Sequence, residues 1–464
     1  MGGIAHHNEG CIMICFGNLG WGVSASGLSY LNLNRALGNA WWNNSARLSE
    51  YKKYKQRYAF HAEAKINNLM PRASKKNERP LLFRKKITAM KKSCRNIDIT
   101  AEQTIRPFVY ECLKRHRKRY KFKRLLKMIR AETLNDAADK LSKYAANTIK
   151  MRTIPNFTPK TRERFDNSSR KKRLIGCETA LQQIFDYIAV RSCYEIWHRR
   201  YVPQQCSSIK KRGQLYGTRM IRNYIKADLR AMEYAKKHKR RYARKCKYFI
   251  KLDIHHCYQS IDRRLFLKLF EHDCGNYDIL YLWSELIASY ARAEKCTGFL
   301  IGALPSQWGA QFMLSFLYRY AMAQPGVTHM IMFMDDMLLM SGNRRKLKRA
   351  VENINSYAKN GLHLEIKKNW HIKKLELEPI DMMGYVIHDN GKITVRAKNF
   401  IHARRMIIRL INKNNFTYSQ AKRLASYKGY FKYSNCRKIK EVMHLKSAFE
   451  KVQNIISEHE KEKK

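Results

Sequence analysis

The chain has 464 residues, of which 93 are Lys or Arg and 37 are Asp or Glu, giving a formal charge of +56. A surplus of that size calls for an anionic partner. With 45% apolar and 11% aromatic residues the chain can build cores, which excludes wholesale disorder and the collagen, mucin and acidic-tail classes, and at roughly 100–200 residues per domain the length suggests about two to four packed units.

The N-terminus, MGGIAHHNEG, lacks the positive charge of a secretory signal, and 11–16 is too short for its apolar region, so a cytoplasmic location is expected. The first 46 residues hold 8 of the 21 glycines and seven asparagines but only Glu9 and Arg35 as charges, which marks a composition boundary; an atypical segment is assigned to 1–60. A basic helical region follows over 61–150. Within it Glu111–Arg130 carries ten Lys or Arg against one Glu and reads as a basic helix, with Leu125, Leu126, Met128 and Ile129 for its packed side. A second block, Lys236–Lys247, has eight basic residues and no acid, and smaller ones lie at 170–173 and 210–212. One such block is ordinarily a solvated helix face. Here no acidic block offsets them, and apolar-patterned sequence separates them, unlike the single amphipathic helix of a membrane-surface protein, so nucleic acid is the better partner. No stretch reaches the roughly 18 apolar residues of a membrane helix: the best candidate, Met330–Met340, is broken by two aspartates. Twelve scattered cysteines without a CxxC suggest reduced thiols rather than disulfides or a zinc site.

Tyr248–Asp253 (YFIKLD) alternates as a strand ending on a carboxylate would. Eighty residues on, His329–Met340 (HMIMFMDDMLLM) is almost wholly apolar, and its only acids are Asp335 and Asp336. Most Asp-Asp pairs are solvated turns among Gly, Ser and Asn, whereas this one lies between Phe333, Met334, Met337 and Leu338. Burying ionised carboxylates there would cost several kcal/mol or more, so the pair belongs at a hairpin tip where cations or water neutralise it. Three carboxylates on neighbouring strands suit Mg²⁺, and two such ions would make a polymerase-type centre.

The order of YFIKLDIHHCYQSID, IGALPSQ, FMDD, GLHLEIKKNW and MMGY resembles the successive palm motifs of reverse transcriptases, over roughly 150–440. The resemblance implies an α+β right-hand polymerase: fingers over 151–247, a ferredoxin-like palm over 248–395 and a helical thumb over 396–464. It implies Asp253, Asp335 and Asp336 as ligands of two Mg²⁺ ions, and Tyr258 as the aromatic gate that excludes a ribose 2′-OH. Lys172 and Arg173, in KKRLIG, resemble the finger residues that hold the incoming triphosphate. Lys368 matches the lysine that protonates departing pyrophosphate, with Lys367 beside it, and Met383, Gly384 and Tyr385 match the turn that grips the primer end. Residues after about 396, including SYKGYFKYSN, would bind the RNA–cDNA hybrid.

Most reverse transcriptases carry Gln-Gly and later Ser-Pro in the motif that contacts template and incoming base. Here it reads Ile301, Gly302, Ala303, Leu304, Pro305, Ser306, Gln307, which resembles the enzymes of diversity-generating retroelements, mutagenic at template adenines. Ile301, Gly302, Ser306 and Gln307 are accordingly nucleotide-binding candidates. Gly22–Ser49 is similar to the translated variable region of the lectin-type targets such elements diversify, so 1–60 is expected to be read through from the template repeat, with translation starting at Met70 or Met90. The resemblance further implies template RNA, deoxynucleotides and a small basic accessory variability protein as partners, a prokaryotic or phage source, and no ribonuclease H centre. The alternatives are a retron-, intron- or phage-defence-type reverse transcriptase and a catalytically silent RNA-binding scaffold. A metal nuclease or integrase would leave Tyr258 and the basic finger motif unexplained.

Overall fold

The structure, a computed structural model, describes residues 92–166, 171–209, 211–412 and 416–462. The expectations for 1–60, Met70 and Met90 lie outside the described residues. Two compact units are distinguished, one of the described residues up to His198 with Arg263–Gln307, the other of Arg199–Asp262 with Trp308 onward.

The first unit begins with three helices, α1 (Glu102–His116), α2 (Tyr120–Met128) and α3 (Leu134–Lys150). The basic stretch 111–130, expected as one helix, is thus two, parted at Arg119 in extended conformation (φ −76°, ψ 140°). At about 100° per residue, a continuous helix would carry Phe122 and Leu125 to the side opposite Ile105, Val109, Cys112 and Leu113. The break lets both sets be buried. A hairpin of β1 (Lys160–Asp166) and β2 (Lys171–Cys177) follows, then α4 (Ala180–Ser192), whose Thr179 cap accepts from the Gln182 amide at 3.1 Å. Almost all of α4 is buried, and α6 (Arg263–Asp273) and α7 (Tyr277–Arg292) complete the unit around Trp197, Phe266, Phe270 and Trp283.

That unit is built on a four-stranded antiparallel sheet in the order β4-β5-β3-β6, with β3 (Tyr248–Asp253), β4 (His329–Phe333), β5 (Asp336–Ser341) and β6 (Lys373–Lys374). Helix α8 (Leu304–Met322) precedes β4, and α9 (Arg344–Leu362) connects β5 to β6. Strand order and connectivity are those of the ferredoxin-like arrangement expected for 248–395. Helix α5 (Gln214–Lys237) lies against the sheet, where Ile221 and Ile225 join Phe249, Ile331, Leu338 and Met340 in one core. A second small sheet, β7 (Ile380–Met382), β8 (Tyr385–Ile387) and β9 (Ile393–Val395), leads into α10 (Ala397–Asn412), α11 (Tyr418–Ala425) and α12 (Leu445–Lys461). These helices bury Ala403, Ile407, Leu424, Phe431, Phe449 and Val452 in a core of their own, and Thr417 with Gln420 closes the start of α11 as a capping box.

Candidate active site

The alternating apolar pattern of 248–253 makes β3, and the apolar run of 329–340 folds on itself as β4 and β5 because two residues, Met334 and Asp335, turn between them. Met334 takes a left-handed φ of +57° there. In the ladder between β3 and β5, Asp253 pairs directly with Asp336, so their Cα atoms are about 4.5–5.5 Å apart. The Ile254 amide donates to the Asp335 carbonyl at 3.4 Å. Acids 82 and 83 residues apart in sequence therefore meet at one sheet end. Burial, with like charge from Asp335 and Asp253 added, pushes the Asp336 carboxyl up to about 6, against the pull of Lys251 and Lys367.

A lysine enters this cluster that motif reading placed one residue away. The segment 364–367 runs beside β3: His255 N donates to the Glu365 carbonyl at 2.7 Å and Lys367 N to the Asp253 carbonyl at 2.9 Å. This aims the Lys367 ammonium at Asp253, Nζ to Oδ2 2.5 Å, while Lys368 is exposed. Lys251, on the same strand as Asp253, donates from Nζ to the Asp381 carbonyl at 2.7 Å and so ties β7 to β3. Neither lysine stands out by type in so basic a sequence; the alternation in YFIKLD and GLHLEIK is the signal that could have found them, since it puts Lys251 outward and Lys367 in step with Glu365.

Among the described residues, no group of three or more His, Cys, Asp or Glu side chains is drawn together into a ready metal cage. The donor chemistry nevertheless fits Mg²⁺, which binds through one or two carboxylates plus water and substrate phosphates rather than in an all-protein cage. Asp253 Oδ1 is buried with no hydrogen-bond partner, on the residue that pairs with Asp336. That oxygen, on a carboxylate whose other oxygen takes Lys367, is a hard donor of the kind Mg²⁺ binds.

Tyr258 belongs to this cluster: its hydroxyl reaches Met334 Sδ at 3.7 Å, and burial, Cys257 and Asp335 together raise its pKa. The 383–385 motif is the β7–β8 turn, with Met383 at φ +55° and Gly384 at φ +83°. Two positive φ values in a two-residue loop are those of a type I′ hairpin. The Gly384 carbonyl accepts from Arg396 N at 3.2 Å and Asn399 Nδ2 at 3.4 Å, and Tyr385 packs on Tyr430, ring centroids 5.2 Å apart.

The other sequence candidates lie in the first unit. Lys172 and Arg173 are exposed on β2, where Lys172 Nζ is 3.5 Å from Glu163 on β1. At the far end of the same strand Gly176 N donates to the Ile301 carbonyl at 2.8 Å, bringing the 301–307 segment alongside the KKRLIG strand. Gly176 is what permits this: a Cβ there would sit 2.3 Å from Leu300 side-chain carbons. Ile301 is half-buried, Gly302 exposed at φ +105°, Gln307 half-buried, and Ser306 fully buried. Beneath Ser306 lies a set of buried polar groups: Tyr290, Gln182, Glu178 and Asp186. Burial raises both acids, and the charge of Glu178 raises Asp186 further; with both ionised neither Asp186 oxygen has a donor. A proton on Glu178 would supply one.

Residues 159–387 match the family model described as "Reverse transcriptase (RNA-dependent DNA polymerase)". No curated protein matches the chain. Among solved structures, a telomerase from Candida albicans in complex with a fragment of telomeric RNA is similar at 11% identity and a TM-score of 0.40, over 64% of this chain and 55% of that one. An apo telomerase from Candida tropicalis is similar at 12% identity and 0.40, over 65% and 58%. The chain thus spans somewhat over half the length of these two proteins.

Proposed function

We propose, from the match of residues 159–387 to the reverse transcriptase family model, that the chain copies a template-repeat RNA into cDNA with errors concentrated at adenines, as the polymerase of a diversity-generating retroelement. The observation that carries the polymerase reading is the direct pairing of Asp253 with Asp336, with Asp335 in the adjoining turn. Two Mg²⁺ ions held by these three carboxylates would supply an activated primer 3′-hydroxyl and charge neutralisation on the leaving pyrophosphate. Lys367, seated on Asp253, is the better placed proton donor for the departing pyrophosphate oxygen, the role that motif matching gives Lys368. The ring of Tyr258 fills the space a ribose 2′-OH would need. The exposed cations of Lys172 and Arg173 take the triphosphate, and the Met383–Gly384 turn presents backbone to the primer end.

The retroelement reading rests on Ile301, Gly302, Ser306 and Gln307. Where most relatives place a polar amide, Ile301 offers no hydrogen bond to the nascent pair, so mispairs lose less relative to correct pairs. Template RNA, the RNA–cDNA hybrid, deoxynucleotides and a small basic accessory protein are the proposed partners.

Primer extension on RNA with Mg²⁺, followed by sequencing of the products, tests both levels. Asp335→Asn abolishes extension if the acids do the chemistry. Ile301→Gln lowers misincorporation opposite adenine if the amide is what discriminates; an unchanged error spectrum would sink that step while leaving the polymerase reading intact.

A further inference from the structure

Helix α5 has two very different sides. Its inner side buries Thr218, Ile221, Ile225 and Asp228, and Asp228 spends its carboxylate inward, on Tyr242 Oη at 2.8 Å and the amides of Lys245 and Cys246 at 2.7 and 3.2 Å. The outer side carries Arg219, Arg222, Lys226, Arg230 and Lys237. At about 100° and 1.5 Å per residue, these five fall within an arc of about 80° and span about 27 Å. All but the half-buried Arg222 are exposed. Among the described residues no carboxylate lies within ion-pair distance of any of the five, although Glu233 shares their side.

The row has walls. Asn223, Lys226, Leu229, Arg230 and Glu233 line a concavity of about 500 Å³. The turn between β8 and β9 closes over the helix: a Cβ on Gly391, at φ +76°, would lie 2.9 Å from Lys226 Cγ, and Lys392 adds a further exposed cation. At the C-terminal end an exposed Tyr234 packs on His238, centroids 4.0 Å apart, before a run of exposed Lys239, Arg240 and Arg241. An unneutralised, straight row of cations is suited to the phosphates of a rigid stem, and the single exposed ring pair to a base or ribose flanking it.

We propose that the outer face of α5 is a second RNA-binding surface, which grips a stem of a structured RNA by its phosphates on the side turned away from the β3–β5 sheet. The proposal rests on the polymerase reading only in that the chain handles RNA. Its test compares full-length wild type with two variants of equal charge. One replaces Arg222, Lys226, Arg230 and Lys237 with Gln; the other, a control, replaces Arg344, Arg345, Lys348 and Arg349 on α9. Fluorescence anisotropy measures binding of a 20-base-pair hairpin RNA across a salt series, extension of poly(rA)/oligo(dT) measures catalysis, and thermal melting checks folding. Four lost phosphate contacts at about 0.7–0.9 each flatten the log K versus log salt slope by about 3. The α5 variant is expected to lose at least tenfold in hairpin affinity at 150 mM salt and to keep homopolymer extension, with the control changing less than threefold. Equal weakening of both variants would reduce the effect to bulk charge and overturn the proposal, as would unchanged hairpin binding by the α5 variant. A wild type that binds the hairpin but extends no primer would instead refute the polymerase reading alone.

Discussion

Gly384→Ala probes the hairpin that joins the proposed primer site to the rest of the second unit. Gly384 sits at φ +83°, where an L side chain costs about 1–2 kcal/mol. The new Cβ would also meet Tyr430 Cε1 at 2.5 Å and Cζ and Oη at 3.0 Å. That ring is held from two sides, by Tyr385 and by donation to Gln214 Oε1 at 3.1 Å, so its displacement adds roughly 1–3 kcal/mol of overpacking. The sum, about 2–5 kcal/mol, is expected as a lower melting midpoint and as a rise in KM for primer–template that exceeds any fall in kcat. Tyr430→Ala separates the two components. In its background the alanine at 384 retains the backbone cost but loses the clash, so the two changes are less than additive by about 1–3 kcal/mol. A Gly384→Ala protein with wild-type melting and wild-type primer affinity would refute the type I′ geometry and the role built on it. Full additivity in the double variant would refute the contact with Tyr430.

Three further outcomes follow from the acids and their cations. Asp336→Asn abolishes extension yet raises the melting midpoint at neutral pH, because it removes one of two like charges paired across a ladder; a lower midpoint with retained activity would contradict the site. Lys367→Met lowers kcat by roughly 10²-fold, the scale of general acid catalysis, whereas Lys368→Met changes it little, and the reverse order in single-turnover kinetics would restore Lys368 to the role. Asp186→Asn tests the buried pair in the first unit. Both carboxyls are raised above their ordinary 3.8 and 4.5, so the folded protein keeps a proton that the unfolded chain releases, and this pair's contribution to stability falls as pH rises above about 4. The amide removes that proton requirement and supplies a donor to Glu178. Its melting midpoint is therefore expected to gain over wild type by more at pH 8 than at pH 5, by about 2–4 °C per kcal/mol; a gain confined to pH 5 would show the sign to be wrong.

Much of the site was legible because local chemistry constrained it. An alternating YFIKLD ends a strand on Asp253, and an apolar run of twelve residues can accommodate two adjacent acids only at or beside its turn, which is where Asp335 and Asp336 lie. The pairing partner was not legible: alternation has a period of two and says nothing about which residue of β5 stands opposite Asp253, a matter settled by the ladder between β3 and β5. The same limit explains the lysines. Lys367 and Lys368 are chemically identical neighbours, and only the backbone bonds between 364–367 and β3 decide which one reaches Asp253.

The sequence by itself determined the charge, the strand carrying Asp253, the helix-forming segments and the identity of the three acids, since each follows from side-chain type and short-range periodicity. Only the tertiary structure decided that the basic stretch 111–130 divides into two helices, that Gly176 leaves room for Leu300, and that the cations of α5 form one row without ion pairs while Asp228, one of its two acids, turns inward. Each of these depends on contacts between residues distant in the chain, and burial, approach distance and charge pairing are properties of the packed arrangement that no local pattern encodes.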